Sequence, residues 1–281
     1  MEIIRSIDNM TYKIKDLKLQ GKSIGFVPTM GFLHKGHKSL IDEARKYNEV
    51  VVVSLFVNPI QFGPKEDLGN YPRNETSDAQ LCSKAGCDIL FIPEPKDMYK
   101  EGHNTYIDVF GLTEGLCGAS RPGHFRGVCT VVLKLFNIIK PDVAYFGQKD
   151  AQQLVVIKRM VDDINLNVEI VGCPIVREED GLALSSRNTY LLGDEREQAL
   201  VLSKALRMAN NLINNGQSDV IIIKEEMIKI INTAKDSLVD YIEFVNNKDL
   251  KAVIKINGEV LVALAVRIGK TRLIDNMVVN R

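Results

Sequence analysis

Residues 23–58, SIGFVPTMGFLHKGHKSLIDEARKYNEVVVVSLFVN, decide the fold class. The opening, SIGFVPT, reads as a short buried strand. The middle, HKSLIDEARKYN, places Leu40, Ile41 and Ala44 on one helical face. The end, EVVVVSLFVN, is a near-continuous apolar run of the kind a parallel sheet buries on both faces. Strand, helix and strand in this order form one unit of a parallel α/β sheet. At the first strand-to-helix junction stand two of the chain's four histidines, His34 and His37, with Gly36 between them.

The same rhythm continues on the C-terminal side. A helix at about residues 74–85 leads to the strand CDILFIP (87–93). The segment HFRGVCTVVLKLFNII repeats apolar residues at Val128, Val131, Val132, Leu135 and Ile139, which is helical spacing, and Pro141 ends it. DVAYFG is the next strand, DAQQLVVIKRMVDDI the next helix and NVEIVGC the next strand. Strands alternating with helices predict a Rossmann-like parallel sheet with right-handed crossovers over residues 1–176. Beyond CPIVREEDGLALSSRN the rhythm changes. One long helix is expected after Gly193, with Asp194 as N-cap, Glu197 at the capping-box position and Gly216 as its stop. A second helix at about 218–234 and a small sheet from VDYIEFVN, EVLVALAVRIG and TRLIDNMVV complete a smaller α+β domain, residues 177–281.

The 281 residues carry 36 basic and 36 acidic side chains. A balanced chain has no bulk attraction to nucleic acid or to an anionic membrane. The near-apolar run 50–57 is too short to span a bilayer, and MEIIRSIDNM lacks a signal peptide's basic start and apolar stretch. A soluble, cytoplasmic protein is the expectation. The five cysteines, Cys82, Cys87, Cys117, Cys129 and Cys173, show no C-x-x-C spacing and are odd in number. They read as small buried side chains, not as a zinc cluster or a disulfide framework. No G-x-G-x-x-G occurs. GKT at 269–271 resembles the tail of a P-loop, but Leu264 stands where its first glycine should be.

In an open parallel sheet, ligands bind beyond the carboxyl ends of the strands. The helix opened by GHKSL would present free N–H groups and a partial positive charge there, suited to phosphate. His34 and His37 can donate hydrogen bonds to phosphate oxygens. The bland alternative, two surface or capping histidines, suits a lone histidine better than this pair at such a junction. GQKD (147–150) joins a later strand to a helix at the same edge. There Lys149 offers a point charge, and Gly147 and Asp150 could hold ribose hydroxyls. In LALSSRN, the hydroxyls of Ser185 and Ser186 with the guanidinium of Arg187 form a phosphate grip; the bland reading is a polar linker.

The H-x-G-H pattern resembles the signature of the nucleotidylyltransferase superfamily. The longer string PTMGFLHKGHKSL is similar to the pantoate–β-alanine ligase family within it. So are VSLFVNPIQF, EDLGNYPRN, FRGVCTVVLKLFNIIKPDVAYFGQKDAQQL, VREEDGLALSSRNTYL and KTRLIDN, in the family's order over nearly the whole chain. The resemblance implies ATP-dependent condensation of pantoate with β-alanine through a pantoyl adenylate. It implies catalytic roles for His34, His37, Lys149, Ser185, Ser186 and Arg187. ATP would be contacted by these, by Met30, Gly31, Phe32, Leu33, Lys35 and Gly36 of the signature, by Gly147, Gln148 and Asp150, and by Val176 and Leu184. Gln61 and Gln153 would hold pantoate, with Asn58 beside them. Arg121 and His124 would border the substrate site. Mg²⁺ would ride chiefly on the ATP phosphates, with Asp78 as the protein-side ligand, and Asp67 would brace its loop. The family implies a homodimer through the N-terminal domain and small-molecule partners only. Phe32 stands where the family has a small residue, and Gln148 where glutamate is frequent. The alternative within the superfamily is a nucleotidylyltransferase acting on a phosphorylated acceptor.

Overall fold

The computed structural model describes residues 1–64 and 66–281. The first part runs β1 (Glu2–Ile4), α1 (Ile7–Leu19), β2 (Ile24–Thr29), α2 (Lys35–Tyr47), β3 (Val50–Leu55), α3 (Glu75–Lys84), β4 (Ile89–Phe91), α4 (Pro95–Met98), α5 (Leu116–Ser120), α6 (His124–Ile139), β5 (Val143–Gly147), α7 (Ala151–Asp163) and β6 (Glu169–Cys173). Its six strands pair in parallel in the order β1-β4-β3-β2-β5-β6. The chain fills one side of β2 with β3 and β4, then crosses to the other side with β5. The topological switch point therefore lies between β2 and β5, where an open sheet leaves a crevice at its carboxyl edge.

The apolar runs are buried on both faces, as their composition predicts. On β3, Val50 and Val52 pack in one core with Phe26 and the α6 residues Val128, Val132 and Leu135. Val51 and Val53, pointing the other way, pack with Leu40, Ile41 and Ala44 of α2. Burial of these side chains is worth roughly 1.5–3 kcal/mol each before conformational entropy is set against it.

The second part runs α8 (Glu195–Gln198), α9 (Leu200–Asn214), α10 (Val220–Ile231), β7 (Ser237–Asn246), β8 (Glu259–Ile268) and β9 (Thr271–Asn280). The strands form an antiparallel sheet in sequence order. Val260, Val262, Leu264 and Val266 of β8 face α9 and α10 in a separate core. On the opposite face Leu261 and Ala263 meet Leu116 of α5. The C-terminal sheet is thus docked on the first part.

Several expectations are corrected. The helix after Gly193 is two pieces, α8 and α9, broken at Ala199. Asp194 makes no side-chain cap; its carboxylate lies 2.8 Å from Lys235 Nζ. Glu195 Oε2 instead accepts from the Leu192 N–H at 2.9 Å. The strand expected over 87–93 is only three residues long, because the Cys87 N–H donates back to Cys82 O at the end of α3. β1 and α1 carried no prediction. In α1 Met10 and Ile14 are buried and Ile7 and Leu17 pack beside them, a stripe at helical spacing that the sequence reading passed over. GKT is the turn of the β8–β9 hairpin, where Ile268 pairs with Thr271. All five cysteines are free, four of them buried and Cys117 half-buried. No helix among the described residues is long and apolar enough to cross a membrane.

Candidate active site

The junction after β2 is held by its own histidines. His34 is the N-cap of α2, and its Nδ1 accepts from the Gly36 N–H at 3.1 Å. In return His37 Nδ1 accepts from the His34 N–H at 3.3 Å. This is a capping box in which imidazoles take the places of the usual hydroxyl and carboxylate. A Cβ at Gly36 would sit 2.9 Å from His34 Cε1, so glycine is what lets that ring fold back over the turn. A neutral imidazole accepting at Nδ1 carries its proton on Nε2. Burial, with Lys149 nearby, holds His34 down at about 4; burial, with His34 and Lys149, holds His37 at about 3. Both rings are therefore neutral at pH 7, and each can present an Nε2–H to the cleft they line. Capping, set against phosphate donation in the sequence reading, occupies only Nδ1 and leaves Nε2 of each ring free to donate.

Across the crevice, residues 148–150 form a single turn of 3-10 helix after β5. Lys149 Nζ lies 3.1 Å from Asp150 Oδ2. Burial pushes the Asp150 carboxyl up, but Lys149 and Arg187 outweigh it, and the group stays ionised below its usual range. The third wall is the loop after residue 184. Ser185 caps a short helix, Ser186–Tyr190, by accepting from the Arg187 N–H at 3.2 Å. Ser186 Oγ donates to Phe32 O at 3.3 Å, and Arg187 reaches Asp67 Oδ1 at 3.3 Å. Asp67 is thereby the brace its sequence position suggested.

His34, His37, Lys149, Ser185, Ser186 and Arg187 all line one cleft, as do Met30, Gly36, Gly147, Asp150, Val176 and Leu184. Gly31, Phe32, Leu33, Lys35 and Gln148 are not among the lining residues. Leu33 packs in the core beneath α2, and Lys35 and Gln148 are exposed. Phe32 has φ +50°, a left-handed conformation that costs a non-glycine residue about 1 kcal/mol or more. It is held there because its N–H donates to Asp78 Oδ2 at 2.8 Å and its carbonyl accepts from Ser186.

Asp78 is likewise corrected. It is 3% exposed, and its two oxygens accept from the N–H groups of Phe32 and Leu33, the latter at 2.7 Å. It lies outside the cleft lining and ties α3 to the signature loop. Burial raises its carboxyl pKa more than the two donors lower it. The carboxylate that does line the cleft is Asp150.

Gln61 and Gln153 both face the cleft. Asn58 lines it too, but at 1% exposure its polar atoms are bound to protein. Asn58 Nδ2 donates to Gln61 Oε1 (2.9 Å) and Gly127 O (3.0 Å), and Oδ1 accepts from Tyr99 (2.7 Å). Asn58 therefore orients Gln61, leaving Gln61 Nε2, which lies 3.1 Å from Met30 Sδ, toward the cleft. Gly127 makes this docking possible: a Cβ there would lie 2.5–2.7 Å from the backbone of Ile60 and Gln61. His124 closes the corner. Its Nδ1–H donates to Gln61 O at 2.9 Å, leaving Nε2 to accept from Arg121 at 3.0 Å, and Arg121 is paired with Glu66. Burial, then Arg121, holds His124 neutral at about 4.

The sequence reading placed Val128, Val131, Val132 and Leu135 on one helical face without saying what covers it. In the structure they pack in the first core. They also form an apolar wall of the cleft, with Phe56, Phe62 and Phe146. Helical periodicity shows that a face is covered without showing whether protein or ligand covers it. Tyr71, also in the lining, lies in the matching string EDLGNYPRN but was not singled out in the sequence.

A doubly wound sheet with a cationic, donor-rich crevice at its switch point, walled on one side by apolar side chains, defines an enzyme that binds a phosphorylated nucleotide beside a small, partly apolar substrate. The family model described as pantoate–β-alanine ligase matches residues 2–278. Pantothenate synthetases of Caldicellulosiruptor bescii and Clostridium acetobutylicum are each 56% identical to the chain, the first over 99% of both proteins and the second over 100%. The crystal structure of pantothenate synthetase from Thermus thermophilus superposes with a TM-score of 0.94 at 42% identity, covering 99% of each chain. A Francisella tularensis pantoate–β-alanine ligase complexed with β-γ ATP and β-alanine gives 0.83 at 40%, covering 99% of this chain and 97% of that one. This chain belongs to the pantoate–β-alanine ligase family.

Proposed function

We propose that the cleft joins pantoate to β-alanine, using ATP, in two half-reactions. In the first, a pantoate carboxylate oxygen forms a bond to the α-phosphorus of ATP and the bond to pyrophosphate breaks. In the second, the uncharged amine of β-alanine forms the C–N bond to the acyl carbon, the acyl–oxygen bond breaks, AMP leaves and the amine loses a proton. The observation that carries this reading is the set of neutral, tautomer-fixed Nε2–H donors of His34 and His37 in one cleft with Lys149 and the Ser185, Ser186 and Arg187 loop. Donors already aimed at the phosphates need no reorganisation as charge shifts toward pyrophosphate.

Gln61 and Gln153 offer amides to the hydroxyl and carboxylate of pantoate, and the valine-rich wall of α6 takes its carbon skeleton. That wall disfavours a phosphorylated acceptor, whose added charge would call for more cations there. Among the described residues no cluster of three or more His, Cys, Asp or Glu could cage a metal. Asp150, in the cleft and ionised, fits an ion that arrives bound to ATP. Mg²⁺ so held would neutralise triphosphate charge. Residues 1–176 form the nucleotide- and pantoate-binding unit and 177–281 the lid. By family resemblance the working form is a cytoplasmic homodimer, which light scattering would check.

Pyrophosphate–ATP exchange tests the reading. It should require pantoate and Mg²⁺ and should not require β-alanine. Exchange supported by a phosphorylated acceptor and not by pantoate would replace it with nucleotidyl transfer.

A further inference from the structure

On β9, Thr271, Leu273 and Val279 are buried at alternate positions against the second core. Asp275 occupies a place in that apolar row at 2% exposure, and Asn276 beside it is 5% exposed. Two successive buried polar side chains break the strand pattern and must find partners. Their partners lie outside the second core. Asn276 Nδ2 donates to Gln148 O at 3.0 Å and to Lys149 O at 2.9 Å. One amide group thus pins two successive carbonyls of the turn that carries Lys149. Asp275 accepts from both terminal nitrogens of Arg177, at 2.6 and 2.8 Å. Arg177 also donates to Gly181 O at 3.1 Å, inside a hairpin closed by the Leu184 N–H on Val176 O. That hairpin runs directly into Ser185. The Asn276 N–H donates to Asp275 Oδ1 at 2.8 Å and links the two anchors.

We propose that Asp275 and Asn276 are positioning residues for the nucleotide site: Asn276 sets the place of Lys149, and Asp275, through Arg177, sets the place of the Ser185–Arg187 segment. The proposal rests on the ATP-site reading above. One dipeptide of the C-terminal sheet then fixes the spacing between two phosphate-gripping segments of different origin. Neither residue lies within the triphosphate grip itself, and each acts through the backbone or side chain it holds.

The test is ATP affinity by calorimetry, with thermal unfolding as a check on folding. Asn276→Ala should weaken ATP binding about tenfold, the scale of one or two lost hydrogen bonds at a preorganised site, and leave pantoate affinity within about twofold. Asn276→Asp has the same shape but sets an oxygen against two carbonyls, so it should lose at least as much. A role in filling space alone would leave it near wild type. In a Lys149→Ala background, Asn276→Ala should add less than about twofold, because both act on one contact. Asp275→Asn should be non-additive with Arg187→Ala in the same way. Full additivity of the Asn276 and Lys149 changes, or wild-type ATP affinity in Asn276→Asp, would overturn the proposal. Because calorimetry needs no turnover, a protein that bound ATP without pantoate-dependent exchange would sink the ligase reading and leave this test standing.

Discussion

Two strand-to-helix junctions face each other across the crevice, and they are held in different ways. The one after β2 is built largely from its own residues. His34 and His37 cap each other, and the Phe32 backbone before them is held by Asp78, from the same parallel-sheet unit, and by a hydrogen bond from Ser186. The one after β5 has no side-chain cap. Its carbonyls are held by Asn276, 127 and 128 residues further along the chain. The first junction is set mostly by local chemistry, with the Ser186 hydrogen bond as its contact from the C-terminal part. The second is held by the docked C-terminal sheet through Asn276. The C-terminal sheet holds both segments at that point, so displacing it would free the Lys149 turn as well as the Ser185–Arg187 segment.

Three changes would break or sharpen this contrast. The largest effect is expected from His37→Ala, which removes a phosphate donor and half of the capping box together. Adenylate formation should fall by about two orders of magnitude or more, read by pyrophosphate exchange, while stability falls by about 1 kcal/mol, read by denaturant titration. A rate near wild type would leave His37 a structural cap only. Next is Asp78→Asn, which turns a carboxylate holding two backbone N–H groups into an amide that can accept from only one side. It should cost about 2 kcal/mol of stability. The Mg²⁺ concentration for half-maximal exchange should not move, and a large shift in it would restore Asp78 as an ion ligand.

The broadest effect is on pH dependence. His34, His37 and His124 are held at about 4, 3 and 4, below their ordinary value of 6.5. An unfolded chain binds these protons before the folded one does, so stability rises with pH through this window. It should be fully present above about pH 6.5 and decline as pH falls toward 4 and then 3. Calorimetric melting from pH 4 to 8 would show it, and His37→Ala should flatten the slope. An unfolding midpoint that rose on acidification would contradict the assignment of neutral histidines.

The legibility of the molecule follows the same divide. The α2 stripe of Leu40, Ile41 and Ala44 and the all-apolar β3 were readable because helix and strand periods leave their mark within a dozen residues. His34, His37 and Lys149 could be singled out because each sits at an element end that the pattern locates, whereas Ser185 and Arg187, alone a polar linker, stood out only beside the other motifs. Asp78 went astray because a carboxylate near a phosphate motif looks the same in sequence whether it faces an ion or two backbone N–H groups. Asn58 lies beside Gln61 as expected, but only the structure shows Tyr99, Gly127 and Gln61 occupying its polar atoms. Phe32, unexplained in the sequence, proves to be a left-handed residue clamped between Asp78 and Ser186.

By itself the amino-acid sequence determined the alternation of strands and helices, the change from a parallel to a smaller second sheet along the chain and the family whose chemistry the signature carries. Those depend on local periodicity and on contiguous strings. Only the tertiary structure decided which imidazole nitrogen carries the proton, which face of α6 borders the cleft and which residue holds Lys149 in place. Each of these is set by hydrogen bonds or burial among atoms brought together by folding, and a contact made across more than a hundred residues leaves no period in the chain.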